Sequence, residues 1–125
     1  MKRLKQTRVR PFYVRPRIVT KDQEGVPITT WGTAVEIKGE VWPATDRRVV
    51  ETYGDRISGI QSVWLEGQYM LQYDNGVNKV LLRDPNYLMA LGDGICLEAG
   101  PTDEPDYQVI SFTPYRLLRM EIERL

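Results

Sequence analysis

Histidine is absent from this 125-residue chain, and Cys96 is its one cysteine. The first absence removes the commonest general base and the commonest metal ligand. The second excludes an intrachain disulfide and fits a reducing compartment. Together they leave too few Cys and His ligands for structural zinc. The first residues hold no apolar stretch of about 7–15 residues, which argues against a secretory signal. No run reaches the roughly 18 apolar residues that suggest a membrane span. The expectation is a soluble protein made in a cytoplasm, with no cofactor and no membrane contact.

What is present is an ordinary globular composition, 42% hydrophobic and 27% charged. A chain of this size is one domain by prior and is long enough to bury a core. Net charge is zero but is unevenly spread. Residues 1–17 hold Lys2, Arg3, Lys5, Arg8, Arg10, Arg15 and Arg17 and no acid. Of the 17 basic and 17 acidic groups, 10 basic and 17 acidic therefore remain in residues 18–125, a net of −7. A basic arm, residues 1–13, precedes an acidic body, residues 14–125.

Glycine and proline punctuate that body, and no periodic apolar segment reaches a typical helix length. Pro11 and Pro16 favour extended backbone and oppose a helix near the arm. Val14–Thr20 is short and β-prone, and Asp22–Gly25 reads as a turn into a second strand, Val26–Trp31. Val35 and Ile37 alternate with Glu36 and Lys38, and Gly39 then breaks the phase, as at a bulge or close backbone approach. Asp46–Gln61 is a long polar excursion, read as a loop, with one helical turn around Arg47–Tyr53 as the alternative. Asn75-Gly76 between Tyr69–Tyr73 and Val77–Leu82 signals a hairpin, because a type I′ turn needs positive φ at both central residues. Tyr87–Leu91 is too short to assign and suggests one helical turn. Tyr107–Phe112 reads as a strand. Leu118–Glu123 alternates apolar and charged, which favours a strand, although Leu118, Ile122 and Leu125 also have helical spacing. The fold class is all-β: a small antiparallel barrel or sandwich with a long inter-strand loop and an extended N-terminal arm.

No chemistry-bearing set emerges. Cys96 lies in an apolar strand and reads as a buried core thiol. Asp103, Glu104 and Asp106 read as a solvated acidic loop. They lack the spacing of an EF-hand, and weak calcium binding is the alternative. Gly92-Asp93-Gly94 is neither GxGxxG nor a Walker A loop, and reads as a turn entering a strand. Trp31, Trp42 and Trp64 read mostly as core, with interface anchors as the other use. The basic arm can neutralise phosphates in a salt-dependent way, with Phe12 and Tyr13 able to stack on bases. It can equally be a solubilising tail, or dock on the acidic surface of a neighbouring copy.

Several stretches, in this order and spacing, resemble one family. They are Asp22–Gly25 with Trp31-Gly32, Gly39–Thr45, Tyr53–Ile57, Gly92–Cys96, Pro105–Ile110 and Arg116–Leu125. Over about residues 15–125 the sequence is similar to the head-closure, or stopper, proteins of tailed-phage necks. The resemblance implies a non-enzymatic virion protein at the head–tail interface, assembled in the host cytoplasm. It implies a homo-oligomeric ring, a dodecamer in this family. That ring sits between the portal-adaptor and the tail-terminator or tail protein, retains packaged DNA and offers the tail a platform. It also implies that Asp46–Gln61 points into the ring. Arg47, Arg48 and Arg56 would then face DNA, and Asp46, Glu51 and Asp55 would meet neighbouring copies. The basic N-terminus departs from the family's shorter starts. The alternatives are another small neck protein, adaptor or tail completion, and a stand-alone nucleic-acid-binding barrel using Lys2, Arg3, Lys5, Arg8 and Arg10.

Overall fold

The computed structural model describes residues 9–43, 51, 54, 59–65, 67–74, 77–83 and 86–125. The strands among them are β1 (Arg10–Arg15), β2 (Arg17–Lys21), β3 (Pro27–Trp31), β4 (Val35–Pro43), β5 (Ile60–Leu65) and β6 (Tyr69–Asp74). They continue with β7 (Val77–Arg83), β8 (Asn86–Ala90), β9 (Gly94–Cys96), β10 (Tyr107–Pro114) and β11 (Leu118–Arg124). Six of them close an antiparallel barrel in the order β1-β4-β5-β11-β10-β9. Two smaller sheets are inserted into its connections: the hairpin β2–β3 between β1 and β4, and the meander β6-β7-β8 between β5 and β9.

Alternation explains the barrel. Phe12 and Val14 of β1, Ile37 of β4, Val63 and Leu65 of β5, and Met120 and Ile122 of β11 are all buried in one core. Each such side chain contributes about 1.5–3 kcal/mol by leaving water. Glycine lets β4 and β5 approach at Gly39, where a Cβ would lie 2.6 Å from the Trp64 carbonyl oxygen. β10 keeps its apolar side chains inside by a change of phase. Its register against β11 shifts between Val109 and Ser111, so that buried Val109 and half-buried Phe112 both join the core. One extra residue in a strand produces this shift.

The meander adds a second layer. Tyr69, Leu82 and Tyr87 form one cross-strand row, and Leu71, Val80 and Met89 the next. All six belong to, or pack on, the barrel core. The hairpin does not: every residue of β2 and β3 is exposed except half-buried Trp31.

Several expectations change. The boundary of the arm at residue 13 falls inside β1, because Arg10–Val14 pair with β4 and Phe12 is 1% exposed. Val14–Thr20 is two strands, broken at Pro16 where the chain leaves the barrel for the hairpin. Gly39 marks a close approach, as expected, but does not break the phase: Val35, Ile37 and Val41 all pack on the core. The excursion ends at Gly59, since Ile60 and Gln61 already pair in β5. Tyr87–Leu91 lies largely in strand β8, held by Lys79–Arg83 of β7. No tryptophan joins the buried core: Trp42 is 42% exposed, and Trp31 and Trp64 are half-buried. The Asp22–Gly25 turn, the antiparallel pairing of β6 with β7 and the closing strand β11 are as expected, while Asn75 and Gly76 lie outside the described residues.

Candidate functional site

The described surface offers two outgrowths and a polar barrel wall. The first outgrowth is the β2–β3 hairpin. Its root is tied at several points. Arg15 donates from Nε to the Gly32 carbonyl at 2.8 Å, from Nη2 to that of Trp31 at 3.0 Å, and from Nη1 to that of Asp103 at 2.7 Å. The Gly32 amide donates to the Pro16 carbonyl at 2.8 Å. Asp93, 5% exposed, anchors the other side of the root. Its carboxylate accepts from the Arg17 amide at 3.3 Å, the Ala90 amide at 3.0 Å and the Tyr87 hydroxyl at 2.9 Å. Burial, and then the Asp93 charge, push the Tyr87 phenol far above its ordinary value. The tip is fixed by Asp22, whose Oδ1 accepts from the Glu24 and Val26 amides, and by Gly25 at φ 82°. Only a residue tolerant of positive φ fits there.

The hairpin's faces differ. Register puts Arg17, Val19, Lys21, Pro27, Thr29 and Trp31 on one side. Ile18, Thr20, Ile28 and Thr30 lie on the other, uncharged along the paired strands. The same alternation continues to Val26 and, opposite it at the tip, to Asp22, whose carboxylate is turned onto the Glu24 and Val26 amides. Ile18 and Ile28 are each 43% exposed, and Val26 is 52% exposed.

The second outgrowth is the outer face of β6-β7-β8. Met70, Leu81 and Leu88 are direct cross-strand neighbours there. Met70 is 52% and Leu88 42% exposed. Beside this row opens a pocket of about 280 Å³ lined by Gly67, Gln68, Tyr69, Met70, Arg83 and Arg116. Two tethers bring its arginines together. The Arg83 amide donates to the Gln68 carbonyl, and the Tyr69 hydroxyl donates to the carbonyl of Tyr115, next to Arg116.

On the barrel wall, Ser62, Glu121 and Ser111 form one cross-strand row, and Glu40, Trp64 and Arg119 the next. Glu121 is buried, accepts from the Ser111 hydroxyl at 2.8 Å and lies 3.2 Å from Arg119 Nε. Glu40 accepts from Trp42 Nε1 at 2.6 Å. Glu121 is thus held by Ser111 across the β10–β11 pair and by Arg119 within β11, and Glu40 by Trp42 within β4. Among the described residues, no group of three or more His, Cys, Asp or Glu is placed to hold a metal.

The residues expected to act are only partly in view. Lys2, Arg3, Lys5, Arg8, Asp46, Arg47, Arg48, Asp55 and Arg56 lie outside the described residues. Glu51 is exposed with helical backbone. Arg10 belongs to the barrel and not to an arm: its Nη2 donates to the Leu97 carbonyl at 2.7 Å, and its Nη1 is 3.8 Å from Glu98. The acidic loop is more ordered than a solvated loop suggests. Asp106 accepts from the Leu97 and Glu98 amides, and Asp103 from that of Gly100. Cys96 is a core residue, 1% exposed, and its thiol is pushed up by burial and by Asp106, against the opposing charge of Arg15. Gly92-Asp93-Gly94 is the turn expected, but its aspartate's anchoring role was missed. A short acid between glycines, just ahead of a strand, was the available signal.

No family model, curated protein or solved structure matches this chain. The class that fold and surface define is a closed antiparallel β-barrel carrying two outgrowths with exposed apolar faces.

Proposed function

We propose that this chain is a structural protein of a tailed-phage neck, forming the head-closure ring between portal-adaptor and tail. The observation that carries the reading is the connection between β4 and β5. Adjacent antiparallel strands need only a two-residue turn, yet residues 44–59 separate these two. Connections of that length inside a compact domain are uncommon, and binding loops are one of their regular uses. The sequence resemblance puts the channel-narrowing segment, Asp46–Gln61, at the same place. In a ring, one such segment per subunit converges on the axis. Arg47, Arg48 and Arg56 meet packaged DNA, and Asp46, Glu51 and Asp55 meet the neighbouring copy. The mechanism is geometric: closure of a symmetric ring multiplies weak contacts.

The test is to mix the protein with DNA-filled, tailless capsids and measure nuclease-protected DNA. Protection that disappears when the excursion is shortened within residues 46–59, leaving β5 intact, is the expected result. Absence of any capsid association overturns the neck reading. The charge of the first residues favours a second reading, a nucleic-acid-binding barrel. Arg10 and Arg15 hold backbone carbonyls, so that reading rests on Lys2, Arg3, Lys5 and Arg8. It expects DNA affinity that falls steeply with salt and vanishes on removal of residues 1–8.

A further inference from the structure

We propose that the β2–β3 hairpin of one copy docks across the outer face of the β6-β7-β8 sheet of a second copy. Its Ile18–Ile28 face covers Met70, Leu81 and Leu88, and the Glu24 carboxylate at its tip enters the Arg83–Arg116 pocket. This deepens the ring reading by naming a subunit contact.

Three observations carry it. The hairpin is held as a finger, by Arg15 and Asp93 at the root and Asp22 at the tip, although a two-stranded sheet alone is marginal in water. Such ordering leaves Ile18, Val26 and Ile28 facing solvent. The receptor has matching chemistry. Met70 belongs both to the apolar row and to the wall of the arginine pocket, so apolar and cationic surfaces are continuous. The finger presents them in complementary form, with β-branched residues along its face and exposed Glu24 at its end. Lengths agree: three strands span about 10 Å, and Ile18 to Asp22 spans about 13 Å, which reaches beyond the row. Docking uses a face rather than an edge, because Lys21 and Pro27 discourage strand addition.

Size sets the strength. Residues 17–31 are fewer than the 20–30 residues per partner of a stable interface, so one contact is weak and a head-to-tail ring needs many. Wild-type protein should show a rising mass in sedimentation from about 10 μM to about 1 mM. Ile28→Glu disables the finger, and Leu88→Glu disables the receptor. Each variant alone should stay monomeric, while their mixture should form a 1:1 complex, since one good finger then meets one good receptor. Glu24→Arg should weaken wild-type association about fivefold, and adding Arg83→Glu should restore it. Far-UV circular dichroism checks folding, with Ile18→Glu and Met70→Glu as the second pair. A wild type monomeric throughout, a Leu88→Glu variant that still self-associates through hairpin–hairpin contact, or a mixture that fails to pair would each overturn the proposal. No capsid is present, so the contact and the neck assignment can fail separately.

Discussion

Replacing Asp93 by alanine should both destabilise the fold and loosen the hairpin. The carboxylate is 5% exposed and accepts two short hydrogen bonds, from the Tyr87 hydroxyl at 2.9 Å and the Ala90 amide at 3.0 Å, and a longer one from the Arg17 amide at 3.3 Å. Hydrogen bonds to a charged group contribute about 1.5–3 kcal/mol each, and their donors lose their partner when it is removed. Counting the two short bonds gives a loss of about 3–6 kcal/mol, against a total stability of about 5–15 kcal/mol for an ordinary domain. For a chain of this length that lowers Tm by roughly 10–25 °C. Asp93→Asn keeps one oxygen acceptor and should lose less than half as much. Tyr87→Phe removes a single donor, and a double-mutant cycle should show coupling of about 1–2 kcal/mol with Asp93. Thermal and urea unfolding followed by circular dichroism supply these values. Amide exchange locates the effect: Arg17 and Gly32, at the hairpin root, should exchange faster in Asp93→Ala than the core amides of Ile37 and Val63. A loss below about 1 kcal/mol, or additive Asp93 and Tyr87 effects, would refute the anchoring role.

Phe12→Ala should cost about 3–5 kcal/mol, measured by urea unfolding, because Phe12 is a fully buried barrel residue. Val19→Ala, on the exposed hairpin, should cost far less, and similar costs for the two would return residues 10–13 to an arm. Stability should fall at alkaline pH. Tyr87 and Cys96 both have folded-state values raised above their ordinary 10.0 and 9.0, so the folded chain keeps its protons longer than the unfolded one. Their contribution is complete below those ordinary values. Above them it is lost by at most about 1.4 kcal/mol per pH unit per group. The same burial should make Cys96 alkylate slowly until the protein unfolds, as a thiol-labelling time course with and without urea would show.

The fold class was legible because its signals are local. Turn chemistry at Asp22–Gly25 and Asn75-Gly76, and alternation in Val35–Lys38 and Leu118–Glu123, each need only neighbours in sequence. Arg10–Tyr13 misled because composition dominated: positive charge hid the alternation of Phe12 and Val14 that β4 and β9 use. Tyr87–Leu91 failed because its partner β7 decides its state, and an apolar pentapeptide alone has no preferred period. The tryptophans failed because size suggested core, while the register places Trp42 and Trp64 on the wall opposite the core-facing Val41 and Val63. The hairpin's two faces and the arginine pocket were illegible from sequence. Both depend on which residues stand opposite one another, and pairing is tertiary information.

The order of strands around the barrel bears on how the chain is made. β1 is flanked by β4 and β9, and β5 is flanked by β4 and β11. During synthesis from the amino end, β1, β4 and β5 can emerge as a three-stranded sheet with Phe12, Ile37 and Val63 facing water. The meander can pack on them once it is made, but the barrel cannot close until β9, β10 and β11 follow. The hairpin and the meander, by contrast, pair only within themselves and can form as soon as they are made. Closure is thus a late, single event that joins early residues to late ones. A truncation that removes β11 would leave β5 and β10 as open edges and the whole interior unsealed.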